Sequence, residues 1–217
     1  NPFEKQKEFK PTTNIQFEQK EWEQTSFTEN FNTQKESNDV SQVGNHFIAV
    51  PNEKGLLLIH QRRAHKRILF EYFKSVLKNK SGNSQQLLFP KEIELNNSEL
   101  QLIDNMKTDL NAVGFNFTAK ESAITIDGIP PECQEENLQF VIENLIEQHK
   151  NSEELSLQNK LALSLAKSFA ISEIKSLTDA EMQALKTELL KCETPSVCPS
   201  GKRTMINLKT ADLEKYF

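Results

Sequence analysis

The sequence predicts an α+β fold, and three stretches carry that prediction. Residues 55–73, GLLLIHQRRAHKRILFEYF, open on the continuous apolar run Leu56, Leu57, Leu58 and Ile59, the pattern of a fully buried strand. The chain turns at His60 and Gln61 into a segment whose apolar residues Ala64, Ile68, Leu69, Tyr72, Phe73, Val76 and Leu77 recur at helical steps. Residues 85–150 read strand, helix, strand, strand, helix, enough for a small two-layer α/β unit. Residues 157–190 carry two further helical patterns, and a short strand pattern follows them.

Residues 1–44 are rich in Gln, Asn, Glu, Thr and Lys, contain no leucine and show neither helical nor strand periodicity. Such a stretch cannot bury enough apolar surface to offset its ordering entropy, so it reads as a disordered polar linker. Its single aromatics Phe3, Phe9, Phe17, Trp22, Phe27 and Phe31 fit either a solvated tether or a docking motif. Order begins at His46, with Phe47 to Val50 as a strand, residues 51–55 as a turn and Leu56 to Ile59 as the second arm of an antiparallel hairpin. The helix from about residue 61 to 79 covers one face of that hairpin. Its polar side holds Arg62, Arg63, Lys66, Arg67 and Lys74. Like charges four residues apart repel by a few tenths of a kcal/mol each, so this side is either a solvated face or one that meets an anionic partner.

Residues 80–84, KSGNS, form a break of flexible composition. Residues 88–95 follow as a strand; Ser98, with Gln101 three residues on, caps a helix striped by Leu100, Ile103, Met106, Leu110 and Val113 and ended by Gly114. Short strands are expected at 115–117 and 123–126, then a helix striped by Leu138, Val141, Ile142, Leu145 and Ile146. After a polar break at 151–155, a helix runs over 157–174, and a second starts at Thr178 with Glu181 completing a capping box. A strand at 204–208 and a short helix at 211–217 end the chain.

With 217 residues the chain holds one large domain or two small ones plus a tail, and its start at Asn1 reads as a fragment of something longer. A net charge of −5 makes no case for nucleic-acid binding on its own. No apolar run approaches the roughly 18 residues of a membrane helix, and no signal-peptide pattern opens the chain, so a soluble intracellular protein is expected. Cys133, Cys192 and Cys198 are too few and too unevenly spaced for a disulfide framework. The six-residue step from Cys192 to Cys198 is a poor zinc signature, leaving small buried hydrophobes as the simpler reading and a structural metal as the other.

A strand ending in Leu-Ile, a polar turn and then R-A-H-x-R-I-L-F-E resembles the C-terminal dimerisation domain of the MutL family of DNA mismatch-repair proteins. In the family's endonuclease members the turn reads D-Q-H-A-x-x-E-x-x-x-x-E and supplies metal ligands. Aligned without gaps, the aspartate falls on His60, the histidine on Arg62, the first glutamate on Lys66 and the second on Glu71. Further on, the family's A-C-[KRH]-x-A-I becomes Ala166-Lys167-Ser168-Phe169-Ala170-Ile171, with Lys167 at the cysteine position. Its C-P-[HN]-G-R-P becomes Cys198-Pro199-Ser200-Gly201-Lys202-Arg203, with Ser200 at the metal-binding His or Asn.

A zinc or manganese site needs roughly three to six N, O or S ligands. This chain offers Glu71 and Cys198, with His60 and His65 as further candidates, while Arg62, Lys66 and Lys167 are cations. The resemblance therefore implies no metal and no catalytic residue here. Gln85-Gln86-Leu87-Leu88-Phe89-Pro90 matches Q-x-L-x-x-P, which resembles the family's motif for docking a replication sliding clamp. In that reading Gln85, Leu87, Leu88, Phe89 and Pro90 meet the clamp; in the plainer one Leu87 and Phe89 simply point inward from a strand.

The resemblance implies a two-lobed fold: a linker over 1–44, a dimerisation subdomain of hairpin, sheet and helices over 45–84 and 154–217, and an inserted regulatory α/β subdomain over 85–153. Its implied function is homodimerisation and partner docking in mismatch repair, without nuclease activity. The alternative is a metal-dependent nicking endonuclease with substituted ligands. The implied partners are a second copy, the sliding clamp, other mismatch-repair proteins and, weakly, DNA through Arg62, Arg63, Lys66 and Arg67, with no membrane. ATP and magnesium are implied only for the family's N-terminal part, and the implied location is the bacterial cytoplasm, at the nucleoid during repair.

Overall fold

The computed structural model describes residues 40–150 and 156–217. The first 39 residues of the expected linker, with all six of its aromatics, and the polar break at 151–155 lie outside the described residues. The expected α+β fold is observed: two antiparallel sheets with helices packed on and between them.

The first sheet has strand order β1-β2-β3-β7. β2 (Phe47–Asn52) and β3 (Gly55–His60) form the predicted hairpin, Ile48 facing Ile59 and Val50 facing Leu57 across it. Gly55 sits at φ +145°, where a side chain would collide with the Leu208 carbonyl oxygen of β7 (Met205–Lys209). A further strand, β1 (Ser41–Val43), pairs with β2, so the expected linker stops short of its C-terminal end. Polar composition hid this strand. It is set by a tight turn in which Gly44 and Asn45 both adopt the left-handed conformation, and by Gln42, whose amide is bonded inside the fold.

Helix α1 (Gln61–Asn79) starts directly from β3 and buries Gln61, Ala64, Leu69, Phe73, Val76 and Leu77. It ends at Lys80 in the left-handed conformation, whose N–H returns to the Val76 carbonyl. The break at 80–84 is pinned, contrary to its flexible composition. The Gly82 N–H donates to the Ala112 carbonyl at 2.9 Å, and backbone atoms of Ala112 and Val113 occupy the space a side chain would need.

The second sheet has order β4-β6-β5, from β4 (Gln85–Glu94), β5 (Asn116–Ala119) and β6 (Ala123–Ile129). Between β4 and β5 lie α2 (Asn97–Asn105) and α3 (Lys107–Ala112). The capping box here is Asn96 with Glu99, two residues ahead of the expected Ser98 and Gln101. The Asn96 side chain accepts from the Glu99 N–H at 3.1 Å and the Glu99 carboxylate accepts from the Asn96 N–H at 3.2 Å. Ser98 instead donates its hydroxyl to Asn96. The predicted single helix is interrupted at Met106, yet Ile103, Met106, Leu110 and Val113 stay buried because the stripe continues across the interruption. Gly114, at φ +107°, ends it as expected.

α4 (Leu138–Lys150), α5 (Leu157–Phe169) and α6 (Asp179–Lys191) complete the main helices, before the short α7 (Thr210–Leu213). The box of Thr178 and Glu181 caps α6 as predicted. α5 stops at Phe169, five residues before the expected 174, because the backbone beyond it bonds to side chains of the first sheet and α1. One hydrophobic core runs from Leu69, Phe73, Val76 and Leu77 of α1 through Leu87, Ile93, Ile124 and Ile126 of the second sheet to Leu161, Leu165 and Ala166 of α5.

Candidate functional site

The chain carries chemistry-bearing residues in three places: the start of α1, the outer edge of β4 and the outer face of the first sheet.

Gln61, fully buried at the first position of α1, organises its surroundings. Its amide nitrogen donates to the carbonyls of Asn45 at 2.7 Å, Lys175 at 3.0 Å and Glu173 at 3.2 Å, and its oxygen accepts from Gln42 at 2.7 Å. Gln42 in turn accepts from the Leu177 N–H at 3.1 Å. A buried amide with all its groups satisfied holds the 170–177 loop to the sheet. His65, one turn on, accepts from the Ile171 N–H at Nδ1, 3.0 Å. Burial first and the Lys175 cation second push its pKa down to about 4, so the imidazole is neutral and committed to the fold.

Around this frame the structure brings three of the substituted positions and the kept cysteine into one electrostatic neighbourhood. Arg62 and Lys66 stand one helical turn apart on α1, Lys167 lies on the last turn of α5, and Cys198 is buried in the turn before β7. Burial, then Arg62, hold the Lys66 ammonium below its usual range; Lys167 adds to this, while Cys198 and Glu173 oppose it. Ser200 is exposed in a turn closed by the Cys198 N–H to the Lys202 carbonyl, 2.8 Å. His60 packs its ring edge-on against Phe47 with centroids 5.4 Å apart, and its Nδ1 is buried with no hydrogen-bond partner.

Glu71, the one acidic position kept, has other work. Its carboxylate accepts from the N–H groups of Glu193 at 2.8 Å and Thr194 at 3.3 Å, just past α6, and from Arg67 at 3.4 Å. Among the described residues no three His, Cys, Asp or Glu side chains gather as a metal's ligands would. Cations where ligands would stand, and a carboxylate held by backbone donors, do not fit a divalent metal ion.

Two of the four positions of the expected basic face, Arg63 and Arg67, are hydrogen-bonded within the fold. Arg67 donates from Nε to the Val197 carbonyl at 2.6 Å, and Arg63 from Nη1 to the Arg203 carbonyl at 3.1 Å. Both tie the 197–203 segment to α1. The partners lie more than a hundred residues apart in the chain, so no local pattern announces these pairings.

The Q-x-L-x-x-P segment lies in β4, where pairing with β6 is broken. Gln86 faces Gly128 and Lys91 faces Ile126, so residues 87–90 stand opposite Asp127 alone. The bulge divides the apolar residues. Leu87 is buried in the chain's own core, whereas Leu88 and Phe89 are 85% and 74% exposed. Leu87 thus points inward as the plainer reading has it, Phe89 points outward, and Leu88 and Phe89 are the groups free to leave water.

Sequence reasoning missed the third place. Side chains alternate across a strand, so opposite the buried Ile48, Val50, Leu57, Ile59 and Met205 the sheet presents Val43, Phe47, Leu56, Leu58, Ile206 and Leu208 on its outer face. Val43 is 49% exposed, Phe47 and Ile206 40% each. Cross-strand rows join them: Val43 to Phe47, Leu58 to Ile206, Leu56 to Leu208. The signal was in the sequence, because four consecutive aliphatic residues in an antiparallel strand leave both faces apolar.

The profile of the family described as "MutL C terminal dimerisation domain" matches residues 40–177. The chain is 32% identical over 180 residues to the DNA mismatch repair protein MutL of Flavobacterium johnsoniae, covering 81% of this chain and 28% of that protein. It is 32% identical over 212 residues to that of Christiangramia forsetii (94% and 34%) and 30% identical over 182 residues to that of Chloroherpeton thalassium (82% and 28%). The chain spans about a third of the length of these relatives. The profile match covers most of the first sheet, all of the second and the start of α1, and on that ground the chain belongs to the MutL C-terminal dimerisation domain family.

Proposed function

We propose that this chain is the homodimerising and partner-docking segment of a mismatch-repair protein, and that it does not cleave DNA. The outer face of the first sheet carries the reading. An apolar sheet face bearing a half-exposed Phe, Val and Ile is costly in water, and the occupant that the family's description supports is a second copy of the same face, packed sheet on sheet. Sedimentation at several concentrations tests it: a dimer at micromolar concentration is expected, and a monomer there overturns the reading.

Partner docking rests on the β4 bulge. Two large apolar side chains held out by an irregular strand suit an anchor for a greasy pocket, with Gln85 and Pro90 at its rim, and a sliding clamp is the partner that the motif's form suggests. The absence of cleavage follows from Arg62, Lys66 and Lys167 occupying ligand positions and from Glu71 being bonded to backbone amides. Supercoiled plasmid with manganese should stay closed. Nicking that disappears in Cys198→Ala would reverse this part of the proposal. No described helix is long and apolar enough to cross a membrane.

A further inference from the structure

α1 carries two like-charge pairs at four-residue spacing, and the fold treats them differently. Arg63 and Arg67 are each held by a carbonyl oxygen of the 197–203 segment, and Arg67 also pairs with the Glu71 carboxylate. Arg62 and Lys66 form no hydrogen bond or ion pair with any described residue, yet neither is fully exposed. Lys167 joins them from α5, whose end is fixed beside this turn of α1 by the Ile171 N–H on His65. Its ammonium donates to the neutral amide of Gln148 at 2.9 Å and forms no ion pair with any described residue. Among the described residues the exposed Glu173 supplies the carboxylate that acts on Lys66, alongside Cys198, while burial first and Arg62 second hold the ammonium below its usual range. Partly buried charges without a counter-ion are unfavourable, and three of one sign against one of the other leave a net positive patch.

We propose that Arg62, Lys66 and Lys167 form an oxyanion site that takes a phosphate group. A planar guanidinium offers paired donors to phosphate oxygens, two ammoniums add point charge, and a ligand of charge up to minus two balances the excess over Glu173. The phosphate is either that of a nucleic-acid backbone or a free phosphate. The site is independent of the dimerisation reading, since it lies on α1 and α5 and not on the outer sheet face.

The test uses the full chain at low ionic strength. Inorganic phosphate is titrated while backbone amide resonances are followed by NMR, and a labelled DNA duplex is titrated in parallel by fluorescence anisotropy. Saturable shifts centred on residues 62–66 and 165–171 are expected, weakened at least roughly ten-fold in Arg62→Gln/Lys66→Gln and unchanged in Lys74→Gln/Lys78→Gln, which removes the same charge from exposed positions on α1. If the first double variant also lowers the salt slope of duplex binding by about 2, the natural ligand is a backbone phosphate; if duplex binding is unaffected while phosphate binding is lost, it is a free phosphate. Unsaturable shifts, or equal weakening by both double variants, overturn the site. So does a melting temperature several degrees lower in Arg62→Gln/Lys66→Gln, which would make the two cations part of the fold.

Discussion

Replacing Phe47 by alanine should break the dimer and leave the protomer folded. Phe47 opens β2 on the outer sheet face, 40% exposed in the isolated chain, beside Val43 and against the ring of His60. A phenylalanine has on the order of 200 Å² to bury, so roughly 80 Å² of this one awaits a partner. At about 25 cal/mol per Å² that is close to 2 kcal/mol in each copy. Two-fold symmetry presents the residue twice, giving up to about 4 kcal/mol per dimer, from which the retained Cβ subtracts a little. The dimer dissociation constant should therefore rise roughly 100- to 1,000-fold. Sedimentation equilibrium across three decades of concentration reads this directly, with far-UV circular dichroism confirming that the sheet is intact. A shift under about three-fold with an unchanged spectrum would show that the outer face is not the interface.

Leu88→Ala/Phe89→Ala should abolish capture of a sliding clamp without lowering the melting temperature, because both side chains are solvent-exposed; Leu87→Ala should cost about 2–4 kcal/mol of stability as a core truncation, read by denaturant unfolding. Glu71→Gln should lower stability by about 1–3 kcal/mol, since it weakens the acceptor for the Glu193 and Thr194 N–H groups, and the loss should be insensitive to added manganese. His65 is held neutral in the fold, down to about 4 against an ordinary 6.5, so the unfolded chain binds more protons between those values. Stability is then full above pH 6.5 and falls progressively towards pH 4, by up to about 3 kcal/mol. His65→Gln should flatten that slope in unfolding measured across the range.

The parts legible from sequence were those governed by local rules. The hairpin, α1 and the Thr178 cap follow from hydrophobic period and capping chemistry, and each was found where its residues put it. The errors fell where a local signal had a nearby rival or a distant partner. Asn96 outcompeted Ser98 because an asparagine caps as well as a serine and Glu99 stood at the right step to complete the box. α5 ended early because Gln61 and His65, about a hundred residues back, take the backbone groups that a further helical turn would have used.

The candidate sites divide in the same way. Sequence alone showed which side chains stand in the motif-like stretches, His60, Arg62, Lys66, Lys167 and Ser200, and the resemblance sets them against the ligand positions of the family's endonuclease members. Sequence also determined the strand–turn–helix at residues 55–73, since burial period is written in composition. Only the tertiary structure decided which cations are hydrogen-bonded within the fold, which of Leu87, Leu88 and Phe89 faces water, and that Val43, Phe47 and Ile206 share one exposed face. Those outcomes depend on strand register and on contacts between residues far apart in the chain, which no local pattern encodes.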